Sequence, residues 1–193
     1  MPELPEVEIT VRTLKKYIIK QKIHDVTIFN DNLRYKIPSN LGKILKRQTI
    51  NEVKRRSKFI LFKTNHNTLL SHLGMTGRYI VKKNTLKLDT SFYNKKNIIK
   101  KHNHLLIRFK KFSIIYNDIR KFGFFKIYKN NNNFSRHLSN LGPEPLSHLF
   151  NYKYFEQKIK KRRISIKNLL MDQKFVSGLG NIYVNEILYA SKI

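Results

Sequence analysis

Cysteine is absent from the 193 residues, which excludes a disulfide framework, a thiolate nucleophile and any cysteine-ligated zinc within this chain. Long apolar runs are missing too. None approaches the roughly 18 residues that would cross a bilayer, so a membrane-spanning reading is excluded. Acids are scarce, with 12 Asp+Glu against 40 Lys+Arg and a net charge of +28. The first residues, MPELPEVEITV, carry acids where a secretory or transit peptide would carry basic ones, so the expected location is cytoplasmic. The length suits about one domain or one and a half small ones, and 40% apolar with 12% aromatic residues is enough for a buried core. A chain this basic repels itself unless a polyanion neutralises it, and nucleic acid is the commonest candidate. Over-use of Lys, Asn and Ile has a second source in AT-rich codons acting on surface positions regardless of function. Both explanations stand at this level.

Val7, Val11, Leu14 and Ile18 recur at helical spacing and predict an amphipathic helix from about Glu6 to Lys20, with acids suited to its N-terminal dipole. Strand patterns follow over 22–29, 50–63, 69–73, 78–82, 105–109, 113–116 and 124–128, rich in β-branched and aromatic residues. A short helix fits 40–46. Residues 84–104 read as a polar surface loop and Asn130–Asn133 as a low-complexity insertion. The segment Leu141-Gly142-Pro143-Glu144-Pro145-Leu146 marks a linker, beyond which helices are expected at 152–161, 166–171 and 181–191. The expected class is α+β: a two-sheet β-sandwich flanked by helices over 1–140, then a linker and an incomplete helical region over 141–193.

Five segments could carry chemistry. Removal of Met1 ahead of the small Pro2 would expose a secondary amine, and an unprotonated α-amine can attack an electrophilic carbon and form an iminium. Glu3 and Glu6 are near enough in sequence to serve as acid or base, or simply to cap a helix. In Lys54-Arg55-Arg56-Ser57-Lys58, strand alternation would put Lys54, Arg56 and Lys58 on one face, either tracking phosphates or merely solvated. His72-Leu73-Gly74-Met75-Thr76-Gly77 is a turn with Met at its tip, offered to unstacked bases or filling a core gap. Asp118-Ile119-Arg120-Lys121-Phe122-Gly123 is a second turn, whose Arg can read a base edge and whose Phe can wedge between base pairs. Gly178-Leu179-Gly180-Asn181 opens a helix, where free N–H groups and the Asn side chain can hold phosphate. A nucleotide phosphate loop is disfavoured, because no Lys-Ser/Thr follows.

In this order, MPELPEVE, RRSKFILF, SHLGMTG, DIRKFG, LGPEPL and LMDQKFVSGLGNIYVNEILYASKI resemble the bacterial formamidopyrimidine-DNA glycosylases, base-excision repair enzymes for oxidised purines such as 8-oxoguanine. The related endonuclease VIII family usually begins Pro-Glu-Gly-Pro-Glu and lacks the Met/Arg/Phe set. The resemblance implies that the Pro2 amine attacks C1′ of the damaged nucleotide, with a Schiff base and β,δ-elimination following. It implies that Glu3 shuttles protons, that Glu6 supports the site, and that Lys58, His72 and Asn181 contact phosphates around the lesion. Met75, Arg120 and Phe122, with Lys121 in the same DNA-binding turn, would fill the gap left by the flipped base. Arg120 would face the orphaned cytosine. The implied partner is damaged double-stranded DNA, bound by a monomer at the nucleoid.

The chain departs from the family at Ile119, often proline there, at Lys121, often arginine, and in its Asn-rich insertion. It stops at Ile193, inside the helix-two-turn-helix region. The expectation is a truncated member with no zinc, since the family's structural zinc sits in a C-terminal four-cysteine finger. Two readings follow: a glycosylase and abasic-site lyase, or a relic that binds DNA without excising anything. Ile187, Leu188 and Ile193 are expected to lack packing partners.

Overall fold

In the computed structural model, residues 1–83, 86–90, 99–130, 136–160 and 162–193 are described. They form two units: Met1–Arg55 with Phe59–Asn133, and Arg56–Lys58 with Phe134–Ile193.

The first unit opens with α1 (Leu4–Ile18), two residues earlier than the periodicity suggests. Pro5 suits the first turn because it has no N–H to leave unsatisfied. Val7, Val11, Leu14 and Ile18 are all fully buried, so the helix is held by its apolar stripe. It ends where Lys20 turns into the left-handed region (φ 61°) and gives its N–H to the Ile50 carbonyl.

Among the described residues nine strands follow, with a short helix α2 (Leu41–Leu45) after the first. They are β1 (Asp25–Ile28), β2 (Ile50–Arg56), β3 (Phe59–Thr64), β4 (Asn67–His72), β5 (Arg78–Lys83), β6 (Leu86–Asp89), β7 (Asn103–Arg108), β8 (Ser113–Asn117) and β9 (Phe124–Lys129). One sheet has the order β1-β7-β8-β5-β6, the other β2-β3-β4-β9. Their inner faces meet through aromatic contacts, Phe62 with Tyr79 at 5.6 Å and Tyr116 with Phe125 at 4.9 Å. The Tyr79 hydroxyl crosses to Ser71 Oγ at 2.8 Å, which satisfies a buried donor without breaking the apolar layer. Burial pushes the Tyr79 hydroxyl's pKa up, so it stays protonated and donating.

Two expectations are corrected. Residues 50–63 are two strands, because Ser57 takes a left-handed φ of 55° and the chain reverses there. Lys54, Arg56 and Lys58 therefore form no row: Lys54 pairs with Glu52 at 2.9 Å, Arg56 bonds within the second unit, and Lys58 is only 8% exposed. The supposed loop 84–104 contains β6, paired to β5 with Ile80 opposite Asp89, and a 3₁₀ turn at Lys100–His102. β6 lies at the edge of its sheet, where a short alternation such as Leu86-Lys87-Leu88 is at home. The rest of that segment, 84–85 and 91–98, and Asn131–Asn133 of the insertion lie outside the described residues.

The second unit carries α3 (Arg136–Ser139), α4 (Tyr152–Ile159), α5 (Ile166–Met171) and α6 (Asn181–Ala190). Leu169, Leu170, Phe175, Val176, Leu179 and Val184 form its core, and Phe150, Tyr154 and Phe155 set their rings 5.7–5.9 Å from Phe175. Ile187 and Ile193 are exposed as expected, whereas Leu188 packs against this core, one helical turn beyond Val184.

Within the first unit Glu8 accepts from Arg12 Nε and Arg55 Nε, both at 2.8 Å, tying α1 to β2. Burial opposes ionisation of Glu8, but the hydrogen bonds from Arg12 and Arg55 outweigh it and hold its pKa below the ordinary 4.5. A depressed carboxylate stabilises the fold above its unfolded pKa and loses that contribution as pH falls through the folded value. Glu8→Gln should cost about 1 kcal/mol at neutral pH, given its partial exposure. The deficit relative to wild type should be constant at neutral pH and shrink below pH 4.5, as read by urea denaturation across a pH series.

Candidate active site and nucleic-acid interface

Pro2 is half-buried and directly precedes Glu3, the N-cap of α1. Glu3 and Glu6 form a capping box, in which Glu6 Oε2 accepts the Glu3 N–H at 2.8 Å. Glu3 is 1% exposed and Glu6 8%, so both carboxylates are held inside the protein, and one of them fixes the backbone next to Pro2. A helix cap and a catalytic position are thus compatible here: the cap sets where the chain start lies.

At the end of β4, His72 stacks on Phe124 (5.4 Å, 16°) and tilts against Phe59 (5.0 Å). Its Nδ1 accepts the Gly74 N–H at 3.0 Å, which places the ring proton on Nε2. Gly74 has φ 63° and lies so close to the backbone of Phe122 and Gly123 that a side chain could not be accommodated. That approach brings the β4–β5 turn against the β8–β9 turn. Met75 is 37% and Phe122 43% exposed, and Arg120 is exposed with its guanidinium carbon 4.8 Å from the Phe122 ring centroid. Lys121, half-buried, takes the left-handed conformation (φ 59°) that lets the second turn close. Met75, Arg120 and Phe122 are therefore brought together, with Met75 at a turn tip and not in the core.

Sequence reasoning missed what lies beneath them. Asp118 is fully buried; its Oδ1 accepts from Thr76 Oγ1 at 2.5 Å, and its Oδ2 from Gly123 N at 2.8 Å and Tyr116 OH at 3.3 Å. Burial, with the Asp118 charge adding to it, pushes the Tyr116 hydroxyl's pKa up and keeps it a donor. Thr76 and Asp118 both lie inside the motifs; an aspartate opening a tight turn was the available signal.

Arg56 and Glu144 organise the second unit. Arg56 Nη2 donates to the carbonyls of Gly142 (2.8 Å) and Leu141 (3.1 Å), and Nη1 to Ser177 Oγ (3.0 Å) and Glu144 Oε1 (3.4 Å). Glu144 Oε1 also accepts the Ser57 N–H at 2.6 Å, holding the turn that carries Lys58. Gly178 (φ 105°) and Gly180 lead into α6, and Gln173 braces that turn by accepting from Gly178 N and donating to the Leu179 carbonyl. Asn181 is exposed at the first position of α6. A cavity of about 350 Å³ among Phe29, Ile80, Leu106 and Ile115 includes none of these residues.

Comparison with known proteins identifies the family. Residues 1–125 match the formamidopyrimidine-DNA glycosylase N-terminal domain and residues 141–193 the formamidopyrimidine-DNA glycosylase H2TH domain, which defines the class as a DNA-repair glycosylase fold. The formamidopyrimidine-DNA glycosylase of Bartonella quintana is 38% identical, with all of this chain and 68% of the relative covered; that of Ruthia magnifica is 41% identical, with 67% covered. A Lactococcus lactis FPG mutant in complex with Fapy-dG containing DNA superposes with a TM-score of 0.84 at 34% identity, covering 100% of this chain and 68% of that one. The L. lactis Fpg complex with an abasic site containing DNA gives the same TM-score. The chain belongs to the formamidopyrimidine-DNA glycosylase family. Among the described residues no group of three or more His, Asp or Glu could hold a metal, and without cysteine these residues do not fit a four-cysteine zinc site.

Removing the Arg56 guanidinium strips four hydrogen bonds from the second unit. Arg56→Ala should lower its stability by about 2 kcal/mol, since the site is partly open to water. Denaturant unfolding followed by near-UV circular dichroism of the Phe150, Tyr154 and Phe175 cluster would check this.

Proposed function

We propose that the chain is a DNA glycosylase and abasic-site lyase that removes oxidised purines from duplex DNA, acting as a monomer in the cytoplasm at the nucleoid. The observation that carries this reading is the pairing of Pro2 with two buried, mutually capped carboxylates, in the same unit as an exposed Met75, Arg120 and Phe122 cluster.

Once Met1 is removed, the Pro2 nitrogen is a secondary amine that attacks C1′ as the glycosidic bond to the base breaks; its proton is lost, and cleavage of the C1′–O4′ bond with protonation of O4′ opens the sugar and leaves an iminium at C1′. Glu3 moves protons at the opened deoxyribose, and Glu6 holds Glu3 by its backbone. Elimination then cuts the strand on both sides of the abasic nucleotide. Lys58, His72 and Asn181 hold phosphates, His72 through Nε2–H and Asn181 at a helix start. Extruding the base costs a few kcal/mol, which Met75, Arg120, Lys121 and Phe122 offset by occupying the gap, Arg120 facing the orphaned base. The alternative, a chain that binds DNA without excision, draws support from the net charge of +28, which suffices for phosphate binding by itself.

Borohydride trapping separates the two. A covalent adduct is expected on duplexes carrying an abasic site or 8-oxoguanine opposite cytosine, and it should vanish in a chain that retains Met1, as confirmed by mass spectrometry. Glu3→Gln should slow excision by roughly 100-fold or more. No adduct on either duplex would sink the enzymatic reading. DNA affinity should also fall between about tenfold and hundredfold from about 50 to 200 mM salt if three or so phosphates are neutralised. A flat response would count against the binding surface itself.

A further inference from the structure

We infer that Thr76 and Asp118 are positioning residues, which fix the Met75 turn to the Arg120–Phe122 turn so that the three side chains enter DNA as one rigid wedge. The inference rests on the assignment of those three residues to DNA in the proposed function.

Arg120 and Phe122 already form a pair on one turn, but Met75 belongs to another. Between the two turns the Tyr116 hydroxyl lies 3.5 Å from the Leu73 carbonyl and 3.3 Å from Asp118 Oδ2, but the shorter side-chain links run through the Thr76 hydroxyl, beside the close backbone approach at Gly74. A threonine hydroxyl can donate once and accept as well. Here it donates to Asp118 Oδ1 at 2.5 Å and accepts the Arg120 N–H at 3.0 Å. Bonds to a carboxylate are the stronger kind, and this one lies against a fully buried acceptor. Asp118 is itself immobilised from both sides: its N–H donates to the His102 carbonyl at 3.0 Å, and its carbonyl lies 2.9 Å from His104 Nε2. Its second carboxylate oxygen grips Gly123, the last residue of the wedge turn. The chain therefore runs from a fixed carboxylate, through one hydroxyl, to the backbone of the residue that faces the orphaned base. A wedge held in advance has less freedom to lose on entering DNA, so the benefit falls on base extrusion and not on phosphate contact.

Thr76→Ala removes both bonds in a half-buried position, and Thr76→Ser keeps them. The probe is a duplex with 2-aminopurine beside a stable abasic analogue, whose fluorescence rises when the wedge unstacks it. Wild type and T76S should brighten at the same rate within about twofold, while T76A should brighten about tenfold more slowly. Affinity for undamaged duplex and its salt dependence should be unchanged in T76A, since the wedge is not inserted there, and excision opposite cytosine should lose its preference over adenine. Equal brightening by T76A and wild type would overturn the inference, as would T76S behaving like T76A, or a wild-type chain that never brightens the probe. Brightening without a borohydride adduct in wild type would count against excision alone and leave the positioning role supported.

Discussion

Glu6 accepting the N–H of Glu3, Asp118 accepting that of Gly123 and Glu144 accepting that of Ser57 are three uses of one device, a carboxylate buried or nearly so that satisfies the amide of a chain turn. Each turn is where a sequence-predicted residue stands: Pro2 before the first, Arg120 and Phe122 within the second, Lys58 after the third. Turns leave amides that neither helix nor sheet can pair, and burying one unpaired costs as much as a lost hydrogen bond. A carboxylate pairs such an amide more strongly than a neutral acceptor can, which holds a tight turn in a single conformation. The positions of the exposed side chains follow from those of a few acids beneath them.

This bears on the composition. With only 12 acids, the chain still commits Glu8 to two arginines, Asp89 to Arg78 at 2.9 Å, and Glu6, Asp118 and Glu144 to backbone amides. These five acids sit where a turn or an element junction depends on them, while Glu52 and Glu156 pair with exposed lysines at the surface. A basic surface and a well-locked framework are therefore not in conflict, because the two draw on different positions.

Much of the fold was legible in the sequence, since a stripe such as Val7, Val11, Leu14 and Ile18 is specified by local spacing alone. The break at Ser57 was not, because its left-handed conformation carries no glycine or asparagine to announce it, and the carboxylate that stabilises it lies 87 residues away. Strand β6 was hidden for a different reason: lysine alternating with leucine on a sheet edge has the composition of a loop. Within the site, exposed tips such as Met75 and Phe122 stood out because exposing them needs a receiver. Thr76 and Asp118 sit in the same motifs but act through hydrogen bonds between turns 42 residues apart, which spacing along one chain does not encode.

The charge itself divides by burial more clearly than by number. An AT-rich codon bias would enrich lysine wherever substitution is cheap, and a side chain such as that of Lys54, 66% exposed beside Glu52, fits that description. It cannot account for Lys58, one turn further along and 8% exposed, because withdrawing an ammonium from water is costly unless its surroundings are arranged for it. Nor does it account for Arg56, whose planar fork reaches two carbonyls, a hydroxyl and a carboxylate together, a geometry that lysine's point charge does not reproduce. Two neighbouring cations are thus set by the fold and a third by nothing the fold requires, so the excess positive charge mixes cations that the structure holds in place with cations that it leaves in solvent.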